Sequence, residues 1–244
     1  MKGDTMSGLK IMRGAALAVG VLGLAVLGGC AAGVTAAGPG AYAVGDAYSV
    51  TLGRQWSDIS GITAQRPTNV RLLSIDGPLL NRLYLAHDVA PGAGLIRPSS
   101  REQTAPVYRA DMTSRELVEF VTQSVEAWGY LNVETEALLP ADFAGRPGVA
   151  FNFAAQTEEG LNISGRAAAA ARDSELQVMV YLAPSEHYYA RHQTEVDAIF
   201  GSVIRMSTPA APPAPASAPP PAVPEAAPET VPEPAPQAEP APVS

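Results

Sequence analysis

Cysteine is almost missing: Cys30 is the only one in 244 residues. A single thiol excludes an intramolecular disulfide in any compartment, and cysteine-rich zinc sites and dithiol redox chemistry go with it. Lysine is nearly as scarce. Lys2 and Lys10 are the only two, and beyond Arg13 all thirteen remaining basic residues are arginines that follow Cys30. The formal charge of −8 divides into about +2 before Cys30, −4 over residues 208–244 and −6 between. An acidic chain without a basic cluster is a poor candidate for nucleic acid, where phosphate neutralisation dominates affinity. Histidine occurs at His87, His187 and His192 alone. The last two are five apart, which puts them on different faces of a helix, unlike the four-residue step of a metal-binding pair. A solvated or packed histidine is the better reading. No Gly-x-Ser-x-Gly elbow, Walker loop or His-Glu-x-x-His stretch is present, so nothing points to a catalytic site, a metal or a cofactor.

What the chain does have begins at its N-terminus. Lys2, Lys10 and Arg13 precede the apolar or small run 14–27, which falls short of the about 18 residues a spanning helix needs but suits a secretory h-region. It ends in Leu27-Gly28-Gly29-Cys30. Small side chains before the cysteine let an extended backbone enter a narrow peptidase site, and a thiolate is the side-chain nucleophile suited to forming a thioether. This stretch resembles the lipobox of bacterial lipoproteins. The resemblance implies cleavage before Cys30, a diacylglycerol on its thiol and a third acyl chain on its freed amino group. One chain binds a membrane marginally, whereas two or three on one residue make a lasting anchor. Ala31 follows the anchor in place of the Asp that retains many lipoproteins in the inner membrane, so the resemblance favours the outer membrane, periplasmic face, over the inner.

Residues 30–44 are rich in Gly and Ala and read as a flexible tether. The folded domain is expected over 45–206. Tyr48, Val50 and Leu52 alternate with polar residues as in a strand, and Trp56 falls in a turn region. The runs 70–75 and 79–86, joined by Asp76-Gly77-Pro78, read as a β-hairpin. Val89 to Arg109 reads as a loop long enough to be functional or mobile. Thr113 and Glu116 have the form of a capping box, and Leu117, Phe120, Val121, Ser124, Val125 and Trp128 recur at helical steps up to Gly129. Period-two segments follow at 131–137, 149–153 and 161–165, and the run 176–182, apolar on both faces, reads as a central strand. A last helix is expected over 185–203, burying Tyr189, Val196, Ile199, Phe200 and Val203. Consecutive strands and tight turns make an antiparallel meander. The class is α+β, an antiparallel sheet of about six or seven strands packed with two main helices.

This order resembles the PsbP-like fold. Carrying the resemblance are the early strand with Trp56, the capped mid-chain helix, Leu139-Pro140-Ala141-Asp142-Phe143-Ala144-Gly145 feeding a meander, and the close Ile199-Phe200-Gly201-Ser202-Val203-Ile204. The fold occurs in an extrinsic photosystem subunit, a Ran-binding import factor and several bacterial lipoproteins. The resemblance therefore implies protein binding ahead of catalysis.

Among candidate residues, Asp142 reads as a turn former bonded to its own backbone. Arg97, Arg101 and Arg109 share the long loop and suit a carboxylate or phosphate group if they converge, scattered surface charge being the alternative. Of Tyr188 and Tyr189, one is expected in the core and the other exposed beside Arg191. The residues 207–244 hold fourteen prolines and four glutamates, too little apolar bulk to fold, so a disordered tail with polyproline II character is expected. The whole reads as a lipid-anchored, non-enzymatic binding or accessory module with a protein or envelope-component partner. The alternatives are an envelope hydrolase without a motif and a tether acting through the tail.

Overall fold

The central strands of this domain send alternate residues to opposite sides, and both sides find a cover. The computed structural model describes residues 33–98 and 104–206. In chain order these form β1 (Thr35–Ala37), β2 (Gly40–Val44), β3 (Tyr48–Leu52), β4 (Trp56–Asp58), β5 (Val70–Ser74), β6 (Arg82–Val89), α1 (Ser114–Ala127), β7 (Leu131–Asp142), β8 (Pro147–Gln156), β9 (Asn162–Arg172), β10 (Glu175–Pro184), a wide turn (Ser185–Tyr189), α2 (Ala190–Gly201) and β11 (Ile204–Arg205). Eight strands make one antiparallel sheet in the order β1-β4-β5-β6-β10-β9-β8-β7, and β11-β3-β2 make a second. The lipobox Leu27, Gly28, Gly29 and Cys30, the tail from 207 and Arg101 lie outside the described residues.

Leu72, Tyr84, Val178, Val180, Phe151 and Ala169 face α1, whose Leu117, Phe120, Val121 and Val125 complete one core. Their neighbours Leu73, Leu83, Met179, Tyr181 and Ala170 face the other way, against Tyr48, Val50 and Leu52 of the small sheet and Val196 and Ile199 of α2. A helix thus covers one face, and a helix with a small sheet the other. Every residue of β10 after Glu175 is buried, as the doubly apolar run predicts for a strand covered on both faces. On β9, Gly165 sits opposite Phe153 in register, and a Cβ there would meet the Phe153 ring at 2.0 Å. The ring fills what the glycine leaves open.

The capping box of α1 is formed: Thr113 Oγ1 accepts from the Glu116 N–H, and Glu116 Oε2 accepts from the Thr113 N–H at 2.8 Å. Four expectations need correction. The sheet has eight strands, with three more in a second sheet, where six or seven were expected. The extra ones are short, such as Trp56–Asp58 and Ile204–Arg205, or lie in 35–44, where small residues hide the alternation. For the same reason the supposed tether 30–44 contains β1 and β2, and the fold begins ahead of residue 45. The second hairpin strand starts at Arg82 and leaves Leu79 83% exposed. The last helix opens as a wide turn and is α-helical only from Ala190. Among the described residues no helix is long and apolar enough to cross a membrane.

Candidate functional site

The α1 face of the sheet closes incompletely where α1 ends. Trp128 is the last residue of the apolar stripe, after which Gly129, at φ 95°, turns the chain into β7. Its ring lies flat on Tyr84 of β6, with centroids 3.8 Å apart and planes 6° from parallel. Arg82, two residues before Tyr84, emerges on the same face of the strand. Leu95 and Ile96, in the segment that follows β6, fold back as a buried wall, held by the bond from Arg97 N–H to the Gln65 carbonyl at 2.7 Å. Thr63, Gln65 and Arg66 supply the remaining side. Together these residues enclose a cavity of about 110 Å³.

Two of its five polar residues, Arg66 and Arg82, are cationic, and none is acidic. The Arg66 Nε donates to the Ser60 carbonyl at 3.0 Å, and Nη1 donates to the carbonyls of Pro67, Thr68 and Val70. Nε of Arg82 donates to the Pro78 carbonyl at 2.5 Å. Neither guanidinium forms an ion pair with a carboxylate among the described residues. Burial and then the nearby Arg71 hold the Arg66 guanidinium below the ordinary arginine value, partly offset by Asp58 and Tyr42, with Arg97 adding to the lowering. Burial pushes the Tyr84 phenol up to about 12, against the pull of Arg82, so at neutral pH Tyr84 is an uncharged donor.

A second polar cluster lies on the opposite face. His192 of α2, 1% exposed, meets Asp76 with Nε2 to Oδ2 at 2.5 Å. Asn81 Nδ2 donates to the same oxygen at 2.7 Å, and Ser74 Oγ donates to Asn81 Oδ1 at 3.0 Å. His192 Nδ1 and Tyr181 Oη are buried without a partner. An acid beside a histidine is a common catalytic pairing, yet here the histidine ring is buried and the pair joins α2 to the β5–β6 turn. The packed-histidine reading holds for His192, whose partner 116 residues away could not be read from the residues around it.

The remaining candidates disperse. Arg97 stays exposed near Arg66, whereas Arg109 is committed to Glu116 at 2.7 Å. Asp142 Oδ1 accepts from the Gly145 N–H at 2.8 Å, the turn role expected of it. Tyr188 and Tyr189 are both half-buried, in place of one in and one out. Tyr189 packs 5.7 Å from Tyr181, and Tyr188 stands edge-on to His187. Among the described residues no three His, Cys, Asp or Glu gather as a metal site. Sequence reasoning missed Arg66, Arg82, Tyr84 and Trp128 as a group, because only the sheet order and the returning loop bring them together.

No family model matches this chain, and no curated protein matches it. Among solved structures it is similar to the cyanobacterial PsbP protein, CyanoP, of Synechocystis, at 13% identity over 77% of this chain and 97% of that one, with a TM-score of 0.44. It is also similar to PA94 of Pseudomonas aeruginosa, a protein of unknown function, at 11% identity over 68% and 92% with a TM-score of 0.33. A third is LpqN of Mycobacterium tuberculosis, involved in cell envelope biogenesis, at 7% identity over 74% and 88% with a TM-score of 0.34. A PsbP protein is thus among the structures the chain resembles, at a likeness too low to say anything of function.

Proposed function

We propose that this protein is a lipid-anchored, non-enzymatic binding module of a bacterial cell envelope. Cys30 carries the lipid, Leu27, Gly28 and Gly29 direct its processing, and the domain faces the periplasm from the outer membrane. Its partner is a protein or another envelope component, held without a cofactor. The observation that supports binding is the cavity beside Trp128: its lining offers donors in Arg66, Arg82, Tyr84, Thr63 and Gln65 and apolar walls in Leu95 and Ile96. None of these side chains is a general base or an activated nucleophile at neutral pH. They suit holding a ligand and leave it unchanged.

Metabolic labelling with a fatty-acid analogue tests the anchor. The wild type should take the label and fractionate with the outer membrane, and Cys30→Ser should remain an unlabelled precursor. Normal labelling of that variant sinks the lipoprotein reading. Capture from detergent-solubilised membranes tests the module: species retained by the intact lipoprotein should be lost with Arg82→Gln if this cavity is the contact.

A further inference from the structure

We infer that the cavity between Arg66, Arg82 and Trp128 receives the oxyanion group, carboxylate or phosphate, of a small organic anion whose flat or apolar part lies against Trp128 and Ile96. The inference rests on the binding-module reading and adds the ligand's chemistry to it. Taking a cation out of water is costly unless an anion or a full set of hydrogen bonds replaces the lost solvent. Arg66 and Arg82 are both half-buried, line one cavity, and meet carbonyls where a carboxylate would be expected. The chain has acids to spare, with a formal charge of −8. It uses them elsewhere: Asp197 pairs with Arg166, Glu116 with Arg109 and Glu119 with Arg115. Arg66 and Arg82 thus lie half-buried beside one cavity, with no carboxylate paired to either among the described residues.

The donors left over have the right form. Arg66 Nη2 makes no hydrogen bond to a carbonyl or carboxylate among the described residues, and the Arg82 guanidinium, beyond its bond to Pro78, meets the uncharged Tyr84 hydroxyl in place of an anion. A guanidinium presents such N–H groups as a planar fork that matches two oxygens of a carboxylate or phosphate. Tyr84, uncharged at neutral pH, adds a hydroxyl to the same wall. The volume, about 110 Å³, is well below the roughly 300–1,000 Å³ of pockets for drug-sized ligands. It accommodates a charged group and a few attached atoms, with the rest of the ligand outside.

The test is calorimetry on the full-length lipoprotein in detergent, titrated with phenyl phosphate, benzoate and the neutral phenol. Both anions should bind, more weakly as salt is raised, and phenol should not. Arg82→Gln should weaken anion binding about tenfold or more with an unchanged unfolding curve, and Arg82→Lys, which keeps charge but loses the fork, should fall between. Phosphatidylglycerol vesicles that displace phenyl phosphate, where phosphatidylcholine vesicles do not, identify the source as a lipid headgroup. Vesicles without effect identify a soluble anion. Phenol binding as tightly as benzoate overturns the oxyanion and leaves a binding module. If no probe binds, or a folded Arg82→Gln binds as the wild type does, this cavity is not an anion site.

Discussion

The two helices are fastened to opposite faces of one sheet by different physics. α1 buries six residues, Leu117, Val118, Phe120, Val121, Ser124 and Val125, whose one side-chain hydrogen bond among the described residues is Ser124 Oγ donating to its own helix at 2.7 Å. α2 buries three, His192, Val196 and Ile199, and adds polar contacts that reach other elements. Glu195 accepts from the Gly53 N–H at 2.8 Å and from the Trp56 indole at 3.4 Å. His192 meets Asp76, Asp197 pairs with Arg166, and Ser202 Oγ accepts from the Thr51 N–H at 2.8 Å. An apolar stripe fixes which face of a helix turns inward but tolerates sliding. Individual hydrogen bonds fix position, and they make the attachment depend on single side chains. Charge is paired at both helices, Glu116 and Glu119 of α1 with Arg109 and Arg115 and Asp197 of α2 with Arg166, whereas Arg66 and Arg82 line an open cavity without a carboxylate partner among the described residues.

The largest expected effect tests the apolar side. Phe120, 2% exposed and packed near Tyr108, cannot be replaced by surrounding atoms when it is cut back. Phe120→Ala should cost about 3–5 kcal/mol in denaturant unfolding. A loss no greater than that of the α2 variants would erase the contrast.

Next comes the buried pair. His192→Ala removes a packed ring and leaves the Asp76 carboxylate, 20% exposed, with Asn81 as its remaining partner. The expected loss is about 2–3 kcal/mol, less than for a fully buried pair broken on one side. A double-mutant cycle with Asp76→Asn should show coupling between the two residues. Additive losses would mean that His192 acts by volume alone, like a residue of α1.

A smaller effect concerns the link between the two sheets, where Tyr42 of β2 donates to Asp58 of β4 at 2.7 Å. Burial alone would raise the Asp58 carboxyl, but hydrogen bonds from Ser60 and Tyr42 and the charge of Arg71 outweigh it and hold it below the ordinary value. A carboxyl depressed in the folded state contributes stability that is complete above its unfolded pKa of about 3.9 and is lost as pH falls through the folded value. Asp58→Asn should therefore cost about 1 kcal/mol at pH 7 and flatten the stability profile below about pH 4. An unchanged acid limb in the variant would assign the acid sensitivity to another group.

What the sequence revealed follows the range of each interaction. The capping box, the α1 stripe and the doubly apolar β10 depend on residues within a few positions, and all three can be read directly. β1 and β2 could not, since Ala and Gly carry no alternation to detect and their place is set by partners at Asp58 and Leu52. The candidate site was illegible for a related reason. Arg66, Arg82, Leu95 and Trp128 come from four separate segments that look like ordinary surface or core positions until the sheet and the returning loop juxtapose them.

The smallest effect falls on Asp142, where the α2 face reaches the β7–β8 turn. Its Oδ1 accepts from Gly145 N–H at 2.8 Å, while Ala144 and Gly145 hold φ of 56° and 77°. This bend points Phe143, 2% exposed, into the α2-face core, with its ring edge-on to Tyr48 at 5.2 Å. Asp142 is exposed, so water replaces much of what a substitution removes. Asn keeps an acceptor oxygen in place, so Asp142→Asn should leave the melting curve nearly unchanged. Asp142→Ala should cost about 0.5–1 kcal/mol, because the turn then rests on the Phe143 packing and the backbone bonds between Phe143 and Arg146 alone. Activity or binding is the second readout. A general base loses its function when the carboxylate becomes an amide that cannot take up a proton, whereas a turn former does not. If Asp142→Asn abolishes function at an unchanged melting temperature, the non-enzymatic reading falls. If only Asp142→Ala lowers the melting temperature and neither variant alters function, Asp142 serves to place Phe143.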